Sequence, residues 1–189
     1  MFLFFILSCA SLPKQSVQQK LDAYKPSHKY PGSNLATSLK NVAALIQSGF
    51  PTRVYFVSLG GFDTHSGQLG THGGLLTQLS EALYAFQKDL EGHKLDNQVT
   101  TMTFSEFGRR PSENDSKGTD HGTAAPLFVV GSKIKGGIYG TSPNLNLKKN
   151  QDMEFSTDFR QIYSTMLDKW MNCPAESVLG KKYNTLDIL

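Results

Sequence analysis

Cysteine is nearly absent from this chain: Cys9 and Cys173 are the only 2 among 189 residues, and they stand near opposite ends in unlike settings. That excludes a disulfide framework and a zinc knuckle. An excess of charge of one sign is missing too. The net charge is +3 and the lysines and arginines are scattered, so no basic stripe exists to neutralise nucleic-acid phosphates, and nucleic acid is excluded as a partner. No apolar run is long enough to span a bilayer as a helix, the opening "MFLFFILSCASLPKQS" included. Internal repeats and low-complexity tracts are also lacking. With 39% hydrophobic residues, what is left is enough for one full core, and residues 16–189 read as a single domain.

Residues 1–15 read in three ways. They are a clipped export signal, although no Lys or Arg precedes Lys14 where such a leader carries positive charge. Alternatively "ILSC" resembles a lipid-attachment box, which makes Cys9 an acylated anchor and gives the chain its one route to a membrane. The third reading is an arbitrary start on a shortened reading frame.

Beyond the leader, "SVQQKLDAYKPSHKYPGSN" reads as a short helix followed by an extended linker with no chemistry of its own. Leu39, Val42, Ala43 and Ile46 recur at helical spacing, with Thr37 or Ser38 as cap and Gly49 as stop. "RVYFVSLGG" has the look of a strand buried on both faces. Leu75, Leu79, Leu83, Phe86 and Leu90 mark a second helix closed by Gly92, and "VTTMTF" a second buried strand. Helix and strand alternating in this way predict a right-handed crossover and a parallel sheet covered on both sides. The link over residues 107–124 shows no helical period, so "APLFVVG" is expected to return antiparallel. "KGGIYGTSPNL" reads as a short hairpin or an edge loop. Phe159, Ile162, Tyr163, Met166, Leu167 and Trp170 mark a last helix, capped by Ser156 or Thr157 and ended before Pro174.

This topology brings three loops to one rim, those after Leu59, after Phe104 and before Ala125. "GGFDTHSGQ" carries Asp63 and His65, ordinary ligands for zinc or manganese; they equally read as a turn former and a surface histidine. Glu106 follows the second strand directly, either as a metal-binding or acid/base carboxylate or as a partner of Arg109 or Arg110. "GTDHG" leaves Asp120 and His121 little to shield them, which favours function for His121. Together Asp63, His65, Glu106, Asp120 and His121 offer enough donors to ligate one divalent cation or to share two. Arg109 and Arg110 carry guanidinium forks suited to phosphate or sulfate, or are simply solvated. His28, His72 and His93 read as structural.

The segments "YPGSNLATSLKNVAALI", "VSLGGFDTHSGQ", "FSEFGRRPSEN", "GTDHGTAAPLFVVG", "KGGIYG" and "STDFRQIYSTMLDKW", over residues 16–189, together resemble the bacterial family known as domain of unknown function 1501. Its members are mostly exported and are commonly described as sulfatases. The resemblance extends to the alkaline phosphatase and sulfatase superfamily. It implies an α/β fold, a three-layer αβα arrangement with a mostly parallel sheet, alkaline-phosphatase-like but lacking the N-terminal strands. It also implies an extracytoplasmic location in the periplasm or cell envelope. By the same resemblance Asp63 and His121 match metal ligands, His65 matches approximately, and Glu106 keeps a carboxylate where Phe107 replaces a histidine. The nucleophile of that superfamily comes from an upstream strand, so the chain is expected to be a C-terminal fragment.

The resulting expectation is part of a metal-dependent hydrolase of phosphate or sulfate esters, with zinc, manganese or calcium as cofactor, an anionic small molecule or glycan ester as partner, and little turnover alone. Glu106 and Arg109 are its expected catalytic groups, Arg109 offsetting transition-state charge. The alternatives are a non-catalytic binding or surface protein, or a truncated inactive product.

Overall fold

The structure, a computed structural model, describes residues 2–7 and 17–189. Of the leader over residues 1–15 it describes only the backbone of strand β1 (Phe2–Leu7), and Cys9 lies outside the described residues. Helix α1 (Val17–Ala23) is followed by an extended strap to α2 (Asn34–Gln47). The α2 cap is Ser33, whose hydroxyl accepts from the Ala36 amide, a full turn earlier than the expected Thr37 or Ser38. The helix starts there because Leu35 and Ala36 already belong to its buried face.

Strand β2 (Val54–Leu59) buries Tyr55 and Val57 but leaves Val54 39% and Phe56 55% exposed. It is covered on one face, not both. Helix α3 (Gln68–Gly92) lays Leu79, Leu83, Phe86 and Leu90 into the main core with α2 and the inner face of β2. Strand β3 (Thr100–Ser105) follows, then the short strands β4 (Gly108–Glu113), β5 (Thr119–Gly122) and β6 (Val129–Val130). "KGGIYGTSPNL" forms no strand and runs as irregular chain with Ile138 fully out in solvent. Helix α4 (Phe159–Thr165) is capped by Asp158, two residues after Ser156 and one after Thr157, the expected caps, in a reciprocal box with Gln161. A π-helical turn (Met166–Trp170) extends it, and α5 (Ala175–Leu179) comes after Pro174.

The expected αβα fold with a mostly parallel sheet does not form. The main sheet has the order β2-β1-β3-β6, and every neighbouring pair in it is antiparallel. Strands β2 and β3 do point the same way, as the intervening α3 requires, but β1 lies between them and pairs with both. Two parallel strands that are not neighbours make no parallel ladder. The return of the chain after the polar link is antiparallel, with Thr101 opposite Val130 and Met102 opposite Val129. Within that link, expected as loop, β4 and β5 close a separate two-stranded antiparallel sheet. By strand alternation Met102 points away from the main core, where it meets Met166 and Ile188 in a second, smaller cluster.

The strap between α1 and α2 is held by Asp89 near the end of α3, a fully buried residue. Its carboxylate accepts from Tyr24 Oη at 2.7 Å, Tyr30 Oη at 2.8 Å, Ser27 N at 2.6 Å and Ser27 Oγ at 3.0 Å. Burial, and then the bond to this carboxylate, push both tyrosine hydroxyls far above their ordinary pKa. Among the described residues Cys173 is a free, half-buried thiol. No helix among them is long and apolar enough to cross a membrane.

Candidate metal centre

Because β2 and β3 run the same way, the chain leaves both at one end of the sheet, and the loop after β2 meets the β4–β5 hairpin there. Backbone bonds fasten the two: Thr119 N donates to Thr64 O at 3.3 Å, Gly67 N to Ser116 O at 3.0 Å and Gln68 N to Lys117 O at 2.8 Å. Gly118 makes the approach possible, since a Cβ there would stand 2.1 Å from the carbonyl carbon of His65. Asn114 locks the hairpin tip: its Oδ1 accepts from the amides of Ser116 and Gly118, while its Nδ2 donates to His65 O at 3.0 Å. Sequence reasoning passed over Asn114. The signal was present in "NDSKG", where an Asn folds the following residues into an Asx turn.

Three nitrogens converge on one oxygen. Asp63 Oδ1 lies 3.0 Å from His65 Nε2, 2.8 Å from His121 Nε2 and 3.0 Å from Arg109 Nη2, and the two Nε2 atoms are 3.2 Å apart. One carboxylate oxygen has two lone pairs, so it cannot accept from all three nitrogens where each carries a proton. Two neutral imidazoles unprotonated at Nε2 would instead share a cation with that oxygen. Donors about 2.0–2.1 Å from one zinc and subtending roughly 90–110° stand about 2.9–3.4 Å apart; the 3.0 and 3.2 Å edges fall in that spacing and the 2.8 Å edge lies just below it.

Among the described residues, Asp63, His65 and His121 form the group whose donor atoms all lie within 4.8 Å of one another. Their side chains are 59%, 49% and 47% exposed, which leaves the site open on one side. Asp120 stands outside the group, with Oδ1 3.6 Å from the opposite ring nitrogen of His65, Nδ1. At that distance the carboxylate makes no hydrogen bond to the ring and acts on it only as a nearby charge. Glu106 is exposed just past β3 and is not in the group.

Arg109, expected to face a substrate, is turned inward and only 15% exposed. Besides Asp63, its guanidinium donates to Phe62 O and to Thr119 O at 2.7 Å, so it ties the two loops together. Arg110 pairs with Asp152 at 2.9 Å, away from the cluster. The Asp63 carboxyl is held below the usual carboxylate range, first by the His121 hydrogen bond and then, against a smaller cost of desolvation, by the charges of the two histidines and the bond from Arg109. His72 packs edge-on against Phe62 at 5.4 Å, and burial together with the charge of Arg109 lowers its pKa, keeping it neutral at neutral pH. It supports the loop; elsewhere His28 packs edge-on against Tyr84 and His93 Nε2 lies 3.4 Å from Asp89 Oδ1.

A protein family described as protein of unknown function, DUF1501, matches residues 15–180. No curated protein and no solved structure matches the chain.

Proposed function

The chain belongs to the DUF1501 family, and from that membership and the geometry around Asp63 we propose a metal-dependent hydrolase of phosphate or sulfate esters, working in the bacterial periplasm or cell envelope. The observation that carries the reading is the convergence of His65 Nε2 and His121 Nε2 on Asp63 Oδ1. Two imidazoles and a carboxylate suit zinc or manganese better than calcium, which prefers an all-oxygen shell.

When bound, such a cation polarises an ester oxygen and lowers the pKa of the attacking group. The protein's own residues prepare the place. Asp63 stays ionised because His121, His65 and Arg109 favour its charged form. Arg109 fixes that carboxylate and ties the Asp63 loop to the β4–β5 hairpin. The exposed side is where an anionic substrate would enter.

A second reading has one observation in its favour. The guanidinium expected to offset transition-state charge is committed to internal acceptors, which fits a module that holds an anionic glycan through the cation without turning it over. One set of measurements separates these. The purified chain is dialysed against zinc or manganese and its metal content determined, with nitrophenyl phosphate and nitrophenyl sulfate as substrates. About one ion per chain, lost in Asp63→Ala and His121→Ala, together with slow, metal-dependent ester cleavage of little turnover, is the expected result. Metal bound without cleavage selects the binding module, and no bound metal sinks both.

A further inference from the structure

Phe107 entered as the residue standing where a ligand was expected, and the structure gives it a contact of its own. Its ring lies flat on the imidazole of His121, with centroids 3.7 Å apart and planes 9° from parallel. The Arg109 guanidinium carbon lies 5.1 Å from the centre of the same ring. Phe107 therefore touches two of the three groups that converge on Asp63 Oδ1.

The placement follows from the hairpin. Arg109 is the register partner of His121, and Gly108 of Gly122. Phe107 precedes β4 by one residue, so alternation puts it on the same side as Arg109 and diagonally opposite His121. The glycine pair lets the backbones come close enough, since a Cβ on Gly108 would fall 1.9 Å from Ala124 O and one on Gly122 2.7 Å from Arg109 C.

The stacking geometry carries chemical information. Two neutral aromatic rings carry like quadrupoles and avoid a direct face-to-face sandwich, preferring an offset or an edge contact. A ring drained of electron density by a cation is instead attracted to the negative face of a phenyl group. His121 presents Nε2 to the cluster and its flat face to Phe107, which is the arrangement that favours the imidazole when it carries part of a cation's charge.

We propose that Phe107 is the positioning residue of the metal centre: its ring face clamps His121 with Nε2 aimed at Asp63 and His65 and stabilises the ring in its metal-bound, electron-poor form. This rests on the metal-site reading. Its test uses zinc and cobalt(II) ions as probes on the full chain, with folding checked by circular dichroism. Phe107→Leu keeps apolar bulk and removes the π face, while Phe107→Tyr keeps the face. Calorimetry is expected to show zinc affinity about 10–100-fold weaker in Phe107→Leu, as for loss of other groups that orient a ligand, and nearly unchanged in Phe107→Tyr. The cobalt absorption spectrum should change in Phe107→Leu alone. Wild-type binding that Phe107→Leu leaves intact overturns the clamp and spares the metal site. If the wild type binds no metal, the metal-site reading fails and the electronic half of the proposal fails with it; the clamp is then decided without metal, by whether the His121 ring protons show the upfield shift expected over a phenyl face and lose it in Phe107→Leu. Absence of that shift overturns the clamp as well.

Discussion

Asp89 and Asp63 are the same residue type and do opposite work near the two ends of α3. Asp89 has no exposed surface and is surrounded by the hydroxyls of Tyr24, Tyr30 and Ser27 and the Ser27 amide, with His93 Nε2 farther off at 3.4 Å. Asp63 is 59% exposed and is met by two imidazoles and a guanidinium. Short O–H and N–H donors spread over both oxygens make a closed, satisfied structure that fixes a strap. Several nitrogens crowded on a single exposed oxygen make an oversubscribed one, and that is the condition a cation relieves. Burial and the arrangement of donors distinguish a lock from a candidate ligand, where the letter D does not.

The comparison is broken most severely at the lock. Asp89→Ala leaves two tyrosine hydroxyls and the Ser27 amide without their acceptor, and should cost roughly 3 kcal/mol in chemical denaturation. Zinc affinity of the remaining folded protein should stay at the wild-type value, because the lock lies far along α3 from the Asp63 cluster. A parallel loss of zinc affinity would mean that the two ends are coupled.

Alkaline titration gives a smaller, graded effect. Tyr24 and Tyr30 have folded pKa values raised by burial and by Asp89, so the stability they contribute is complete below the ordinary tyrosine pKa and is lost as pH rises above it. Tyrosinate absorbance should show these 2 of the 7 tyrosines remaining protonated until the chain unfolds. Their ionisation in the folded protein near pH 10 would contradict the buried bonds.

The smallest effect is expected at Asp63. Its folded pKa is depressed, so its contribution is present above the ordinary aspartate pKa and fades as pH falls through the lower folded value. Carboxyl carbon shifts in the metal-free protein should report a midpoint below the ordinary range, moving up toward it in His121→Ala. A midpoint the variant leaves unmoved would remove His121 as the main cause.

Local pattern was enough for several elements. The 3.6-residue period of α2 and α3, the apolar run of β3 and the antiparallel return after it could be read from the sequence, because each rests on neighbouring residues whose side chains must leave water together. The cluster was partly legible for a related reason: Asp63 and His65 are two residues apart and His121 stands between glycines, so their chemistry and openness show in short windows. Tertiary structure decided the rest. It inserted β1 between β2 and β3 and so removed the parallel ladder, since strand pairing depends on which backbones meet and not on what each prefers alone. It folded the polar link into a hairpin, turned Arg109 inward, left Glu106 outside the group, made Phe107 a stacking partner and buried Asp89. A charged or aromatic side chain takes its role from groups tens of residues away, through desolvation and the donors that reach it, and only the folded chain assembles that surrounding.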